Sequence, residues 1–148
     1  MLKNIPQVYI SYQLLDMVRD HAQHDYPHEA CGFLLGAVRE HAVVVLQVCP
    51  VANVAATEMR SRAYAIAPRQ WMHTEHQATG QGLAIVGIYH SHPDQSPEIS
   101  KADIAALWPQ LVYLIVAGGK RVRQPPTVWI LDTLTGAARA CELCLLEE

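Results

Sequence analysis

Leu83-Ala84-Ile85-Val86-Gly87-Ile88-Tyr89-His90-Ser91-His92-Pro93 is the stretch on which the fold turns. Its apolar run, with Gly82 before it, predicts a central strand over Leu83–Tyr89 that delivers His90. On an extended chain residues i and i+2 point the same way, so His90 and His92 present both rings to one side. Asp103 follows His92 by eleven residues, in the first turn of a helix predicted from Ser100 to about Trp108 and stopped by Pro109. Two neutral imidazoles and one carboxylate leave a coordination position open, which is the arrangement of catalytic rather than structural zinc. Iron, nickel and cobalt accept the same donors. If Glu29 folds back onto this set as a base, the chain is a small metal-dependent hydrolase.

Each part of that constellation has a plainer reading. A His-x-His pair is common on surfaces and in cores. Ser100-Lys101-Ala102-Asp103 is also a helix capping box, in which Asp103 bonds backbone and binds no metal. Glu29 alone is one glutamate among several. Two other hydrolase patterns fail on spacing: after His90, His92 and Asp94, Gln95 stands where a metallo-β-lactamase-like site needs histidine, and His73-Thr74-Glu75-His76 has the wrong order for a His-Glu-x-x-His helix.

Working outward, Val8 and Ile10 predict a short first strand. Ser11 caps a helix to about His24, with Leu14, Leu15, Val18 and Ala22 on one face, and Pro27 closes it. Ala30–Gly36 reads as a buried strand and Ala42–Val48 as its antiparallel neighbour. Residues 52–62 form a polar, irregular loop, and Tyr64, Ala65 and Ile66 a short strand. A helix starts at Pro68 and runs to about Thr79, ended by Gly80 and Gly82. Leu111–Ala117 is another buried strand, Gly118-Gly119 a turn, Val128–Leu131 a strand and Ala138–Leu146 a last one. The irregular alternation predicts an α/β chain of α+β type, a mixed and largely antiparallel sheet flanked by helices, in one domain over 1–148.

The 148 residues are 51% apolar and 17% charged, which is a globular composition. A net charge of −3, with Lys120-Arg121-Val122-Arg123 as the densest basic run, argues against nucleic acid. No apolar run approaches the ~18 residues of a membrane span, and the start Met1-Leu2-Lys3-Asn4-Ile5-Pro6 lacks a secretory pattern. Four cysteines without such a pattern indicate a reducing, cytoplasmic setting rather than a disulfide framework. Cys141-x-x-Cys144 has no second pair and reads as ordinary thiols. Cys31 reads as a small buried residue, and Trp71, Trp108 and Trp129 as core or interface anchors.

Taken together, His90-x-His92, Ser100 and Asp103, with Glu29 in the upstream block Pro27-His28-Glu29-Ala30-Cys31-Gly32-Phe33-Leu34-Leu35-Gly36, resemble the signature of the JAMM/MPN metalloproteases. The resemblance extends over nearly the whole chain and includes Arg62-x-Tyr64 and the Pro68 helix. The compact length and the Glu-Ala-Cys-Gly block are most similar to the bacterial and archaeal Mec-like branch. The resemblance implies a cytidine-deaminase-like MPN fold and one zinc held by His90, His92 and Asp103. It implies Glu29 as proton shuttle and Ser100 as hydrogen-bond donor to the developing oxyanion. The implied substrate is a ubiquitin-like or sulfur-carrier protein cut after its C-terminal Gly-Gly, its tail held by backbone bonds near loop 52–66 and strand 83–89. An E1-like activating enzyme is a further partner that the resemblance admits; no nucleic acid or membrane is implied. Two other readings stay open: an MPN scaffold that needs a partner, and a hydrolase of small amides.

Overall fold

The computed structural model describes residues 5–147; the reading of Met1–Asn4 as free of a leader lies outside them. Its elements are β1 (Gln7–Ser11), α1 (Tyr12–Asp25), β2 (Cys31–Arg39), β3 (Ala42–Val51), α2 (Pro68–Gly80), β4 (Ala84–Pro93), α3 (Lys101–Ala105), β5 (Val112–Gly118), β6 (Thr127–Leu131), β7 (Ala138–Ala140) and β8 (Glu142–Leu146). The strands form one mixed sheet in the order β7-β6-β5-β4-β2-β3-β1-β8. Pairing is parallel for β1 with β3, β1 with β8 and β4 with β5, and antiparallel for the other four ladders. This is the mixed, largely antiparallel α/β architecture expected.

Helices cover both faces of the sheet. Ser11 accepts the Leu14 N–H through its hydroxyl and starts α1. The buried stripe Leu15, Val18 and Ala22 then packs on Val8, Ile10, Val43, Leu114 and Val128. On the other face Phe33, Leu35, Ile88 and Tyr113 meet Ala78 and Trp71 of α2, where Phe33 and Trp71 stack edge to face with ring centroids 4.8 Å apart.

The expected last strand over Ala138–Leu146 is two strands at opposite ends of the sheet. β7 pairs with β6 and β8 with β1, and only Cys141 lies between them. Its N–H donates to the Val128 carbonyl at 2.7 Å. Adjacent residues lie about 3.8 Å apart along the chain, so the sheet curls around α1 until its edges meet at Cys141. Cys31, Cys49, Cys141 and Cys144 are all free thiols.

Two register shifts set which face each side chain takes. Between Leu35 and Gly36, β3 carries Leu46 as an extra residue; between Leu34 and Leu35, β4 carries Val86. The second bulge re-phases β4. Val86 and Tyr89, three apart, both reach the α1 side, while Ile88 faces α2. His90 and His92 follow Ile88 at two-residue steps, so the re-phasing sends both imidazoles to the α2 side. Gly36 sits where β2 and β3 approach closely: a Cβ there would lie 1.8 Å from the Val44 carbonyl oxygen. Gly36→Ala is expected to cost on the order of 3 kcal/mol in urea denaturation, because backbone must move to admit the methyl. Wild-type stability in that variant would refute this tight approach.

Three other expectations change. Tyr64–Ile66 is not a strand: the Ala65 N–H donates to Asn53 Oδ1 and its carbonyl accepts from Val54, so these groups need no ladder. α3 stops at Ala105 rather than Trp108. Ala106 and Leu107 bond back three residues, and the Trp108 N–H goes to the Tyr113 hydroxyl. Strand β4 is paired with β2 over Ala84–His90 and with β5 over Gly87–Pro93, so both its edges are covered over Gly87–His90. No helix of the described residues is long and apolar enough to cross a membrane.

Candidate metal centre

The structure brings His90, His92 and Asp103 together. One donor atom from each lies within 4.8 Å of the others. His90 and His92 come from the end of β4, and Asp103 from the first turn of α3. His92 Nε2 lies 3.0 Å from Asp103 Oδ2, and its Nδ1 lies 2.9 Å from the Ser96 carbonyl. That carbonyl can only accept, so it holds the proton on Nδ1 and points Nε2 at the carboxylate. His90 Nε2 is 3.1 Å from Asp103 Oδ1 but is not aligned to hydrogen-bond, and neither nitrogen of this buried ring has a hydrogen-bond partner. Tyr64 stacks on the His90 ring at 4.6 Å between centroids.

The capping box and the candidate ligand cluster share Asp103. Ser100 Oγ accepts the Asp103 N–H and Asp103 Oδ2 accepts the Ser100 N–H, each at 3.0 Å. The same carboxylate faces both histidines. The two readings competed in the sequence because a cap was assumed to exhaust the carboxylate, yet an ionised carboxylate has about four acceptor sites.

Ionisation follows from these contacts. Burial penalises the Asp103 charge, but the facing His90 and His92 imidazoles and the Ser100 N–H outweigh it and hold the carboxyl well below its usual range. Burial pulls the His90 pKa down and keeps its ring neutral. For His92 burial is overcome by the bonds to Asp103 and Ser96, and its pKa rises. A proton and a divalent cation therefore compete for His92 Nε2. Two convergent imidazoles, an ionised carboxylate and a buried His90 Nε2 without a hydrogen bond fit a divalent ion such as zinc.

Glu29 is 5% exposed and its Oε1 is buried without a hydrogen-bond partner. Burial pushes its pKa up to about 7, with His92 pulling it down and Asp103 raising it. Its backbone is fixed on both sides: the N–H donates to the Arg60 carbonyl at 2.7 Å and the carbonyl accepts from Asn53 Nδ2 at 3.1 Å. Next to it, the Ala30 N–H donates to Ser91 Oγ and the Ser91 N–H to the Ala30 carbonyl. Ser91 thus pins the Glu29 segment to the histidine strand.

Asn53 was missed because its role exists only in three dimensions. Nδ2 donates to the carbonyls of Glu29 and Ala63, and Oδ1 accepts from the N–H groups of Ala55 and Ala65. One side chain so ties the loop after β3 to the Glu29 backbone. Asp94 binds the Tyr26 hydroxyl and the Lys120 N–H.

A cleft of about 220 Å³ opens beside the cluster. Glu29 and Asp103 line it, with Ile66, Trp71, Ile88, Trp108 and Tyr113 as apolar walls and Arg62 also on the lining. Trp108 is 65% exposed here, so it is a cleft residue and not a core anchor.

Comparison with known proteins agrees with this geometry. Residues 11–131 match the family described as prokaryotic homologs of the JAB domain. A Haloferax volcanii protein named desampylase is 38% identical over 110 residues, which cover 74% of this chain and 76% of that protein. A solution structure of a Desulfitobacterium hafniense protein superposes with a TM-score of 0.83 at 24% identity, covering 96% of this chain and 94% of the other. A Salinibacter ruber protein, also solved in solution, gives 0.70 at 30% identity, covering 95% and 91%. With its family match spanning most of the sequence and its His-His-Asp cluster assembled at the end of β4, the chain belongs to the prokaryotic JAB branch of the JAMM/MPN family.

Proposed function

We propose that this chain is a zinc-dependent hydrolase that cuts the amide bond after the C-terminal Gly-Gly of a ubiquitin-like or sulfur-carrier protein. The observation that carries the reading is Glu29: a buried carboxylate with an unpaired oxygen, on the same cleft as Asp103. A glutamate in that place has no structural partner for Oε1, whereas a base needs a free oxygen. The resemblance of the relative named desampylase supports a protein conjugate as substrate.

When bound, zinc would act as a Lewis acid toward the substrate carbonyl and acidify water. His90, His92 and Asp103 would hold it. Glu29 Oε1 takes a proton from the attacking water and returns it to the leaving amine as the C–N bond breaks. In the metal-free chain burial raises the proton affinity of this carboxyl, which favours its accepting a proton. Ser100 Oγ already accepts the Asp103 N–H, so its own hydrogen is available for the developing oxyanion. The products are a Gly-Gly carboxylate and a free amine. The test is to incubate the purified chain with a carrier extended beyond Gly-Gly and record intact mass. Cleavage directly after Gly-Gly is expected; an uncut substrate with zinc-loaded protein would exclude the reading.

The base also carries a stability cost. Glu29 keeps its proton to about pH 7 in the folded chain, against an ordinary value of 4.5. The unfolded chain therefore loses that proton first, and folding stability falls as pH rises from about 4.5 to about 7. In chelator-treated protein, Glu29→Gln is expected to add on the order of 2 kcal/mol at pH 8 and almost nothing at pH 4, measured by urea denaturation. Equal stabilities at pH 8 would show that burial does not penalise this carboxylate.

A further inference from the structure

Glu29 belongs to no strand. β2 begins at Cys31, and the loop after β3 supplies the partners of the Glu29 backbone. Its N–H donates to the Arg60 carbonyl at 2.7 Å, and its carbonyl accepts from Asn53 Nδ2 at 3.1 Å. Its Oε1 has no hydrogen bond. Besides the cleft shared with Asp103, Glu29 lines a polar recess of about 440 Å³ together with His24, His28, Asn53 and Arg60. A carboxylate with space on two sides and no partner at Oε1 takes its direction from its backbone.

Asn53 joins that backbone to the cleft wall. Nδ2 gives its two hydrogens to the Glu29 and Ala63 carbonyls, at 3.1 and 3.0 Å. Oδ1 takes the Ala55 and Ala65 N–H groups, at 3.0 and 3.1 Å. Carbonyls only accept and N–H groups only donate, so the partners fix which way the amide faces. An ionised aspartate would keep the two acceptor contacts and lose both donors; alanine would lose all four. Between Ala63 and Ala65 stands Tyr64, which lines the cleft and stacks on the His90 ring at 4.6 Å between centroids. Through one amide the base, the cleft wall and the ring against a candidate ligand keep fixed relative positions.

We infer that Asn53 is a positioning residue, which holds the Glu29 backbone so that the carboxylate stays on the side of the His-His-Asp cluster and does not turn into the polar recess. The inference rests on the amide-hydrolase reading and deepens it, since it concerns how the base of that reading is placed. Other grips remain without Asn53: the Arg60 carbonyl on the Glu29 N–H, and the two bonds between Ala30 and Ser91. Removing the amide therefore loosens the base without unfolding the sheet. A misplacement of about 1 Å at a reacting group costs on the order of 10²-fold in rate, which sets the size of the expected effect.

The test measures single-turnover cleavage of a Gly-Gly-extended carrier by the zinc-loaded protein, with Asn53→Ala and Asn53→Asp each made alone and together with Glu29→Gln. Asn53→Asp keeps acceptors for the Ala55 and Ala65 N–H groups, so the mouth of the loop stays closed, but it has no donor for the Glu29 carbonyl. Both variants are expected to bind about one zinc per chain and to lose about 10- to 100-fold in rate. In the Glu29→Gln background the same substitutions are expected to change the rate by under about 2-fold, because residues that act through one another are not additive. A purely structural role would give the same loss in both backgrounds. In metal-free protein the Glu29 amide should exchange with solvent about 10-fold faster in Asn53→Ala, the order of one lost hydrogen bond, while the β4 amides keep their protection. Equal losses with and without the Glu29 carboxylate, full activity in Asn53→Asp, unchanged exchange at Glu29, or failure of both variants to fold by circular dichroism overturns this proposal and leaves the hydrolase reading standing. A parent that cuts no such carrier overturns both.

Discussion

Glu29→Gln is expected to bind zinc as the parent does and to lose about 10³-fold or more in kcat, the upper range for removing a positioned base. Glutamine keeps the size of the side chain and can keep its place between the Arg60 carbonyl and Asn53, because those contacts are made to the backbone of residue 29 and not to its carboxylate. What is lost is the ionisable oxygen. The variant should therefore be inactive and, by the stability argument, sturdier than its parent above neutral pH once metal is removed. This opposite movement of activity and stability is what a site built for chemistry shows. A glutamine variant that kept full turnover would remove Glu29 from the mechanism, whatever its effect on folding.

The second large effect is expected at His90. Its ring is buried, neither nitrogen has a hydrogen bond, and it stacks on Tyr64. His90→Ala removes one of three donors, so metal analysis after dialysis should find well under one zinc per chain. Turnover should fall by about 10³-fold or more, because the Lewis-acid contribution amounts to several kcal/mol. Circular dichroism and thermal melting should show a folded protein, since the sheet register around His90 is made by backbone. Stoichiometric zinc in the folded variant would undo the ligand assignment.

Much of this site was legible in the sequence because its signals are local. The two-residue spacing of His90 and His92 is a strand period, Ser100-x-x-Asp103 is a helix start, and both survive in the structure as written. The apolar run before His90 marked the central strand for the same reason. Other features depend on what the chain meets. Cys141 divides one β-prone segment into β7 and β8 only because the sheet closes on itself there. The bulges at Leu46 and Val86 are invisible in a run of apolar residues, since hydrophobicity does not reveal which residue a partner strand skips. Asn53 looked like one polar residue of an irregular loop, and its four hydrogen bonds appear only when Glu29, Ala55, Ala63 and Ala65 converge on it. The Tyr64–Ile66 segment has strand-forming residues, but its Ala65 N–H donates to that asparagine and its Ala65 carbonyl accepts from Val54. Propensity there yields to a side chain twelve residues away.

The most direct test of the central claim is turnover of a Gly-Gly-extended carrier through a cycle of chelation and zinc return, followed by intact mass. Cleavage after Gly-Gly by the purified protein is expected, with its loss on chelation and its recovery with about one zinc per chain. Cleavage that persists after the metal is stripped, or zinc-loaded protein that leaves the amide bond intact, would contradict it.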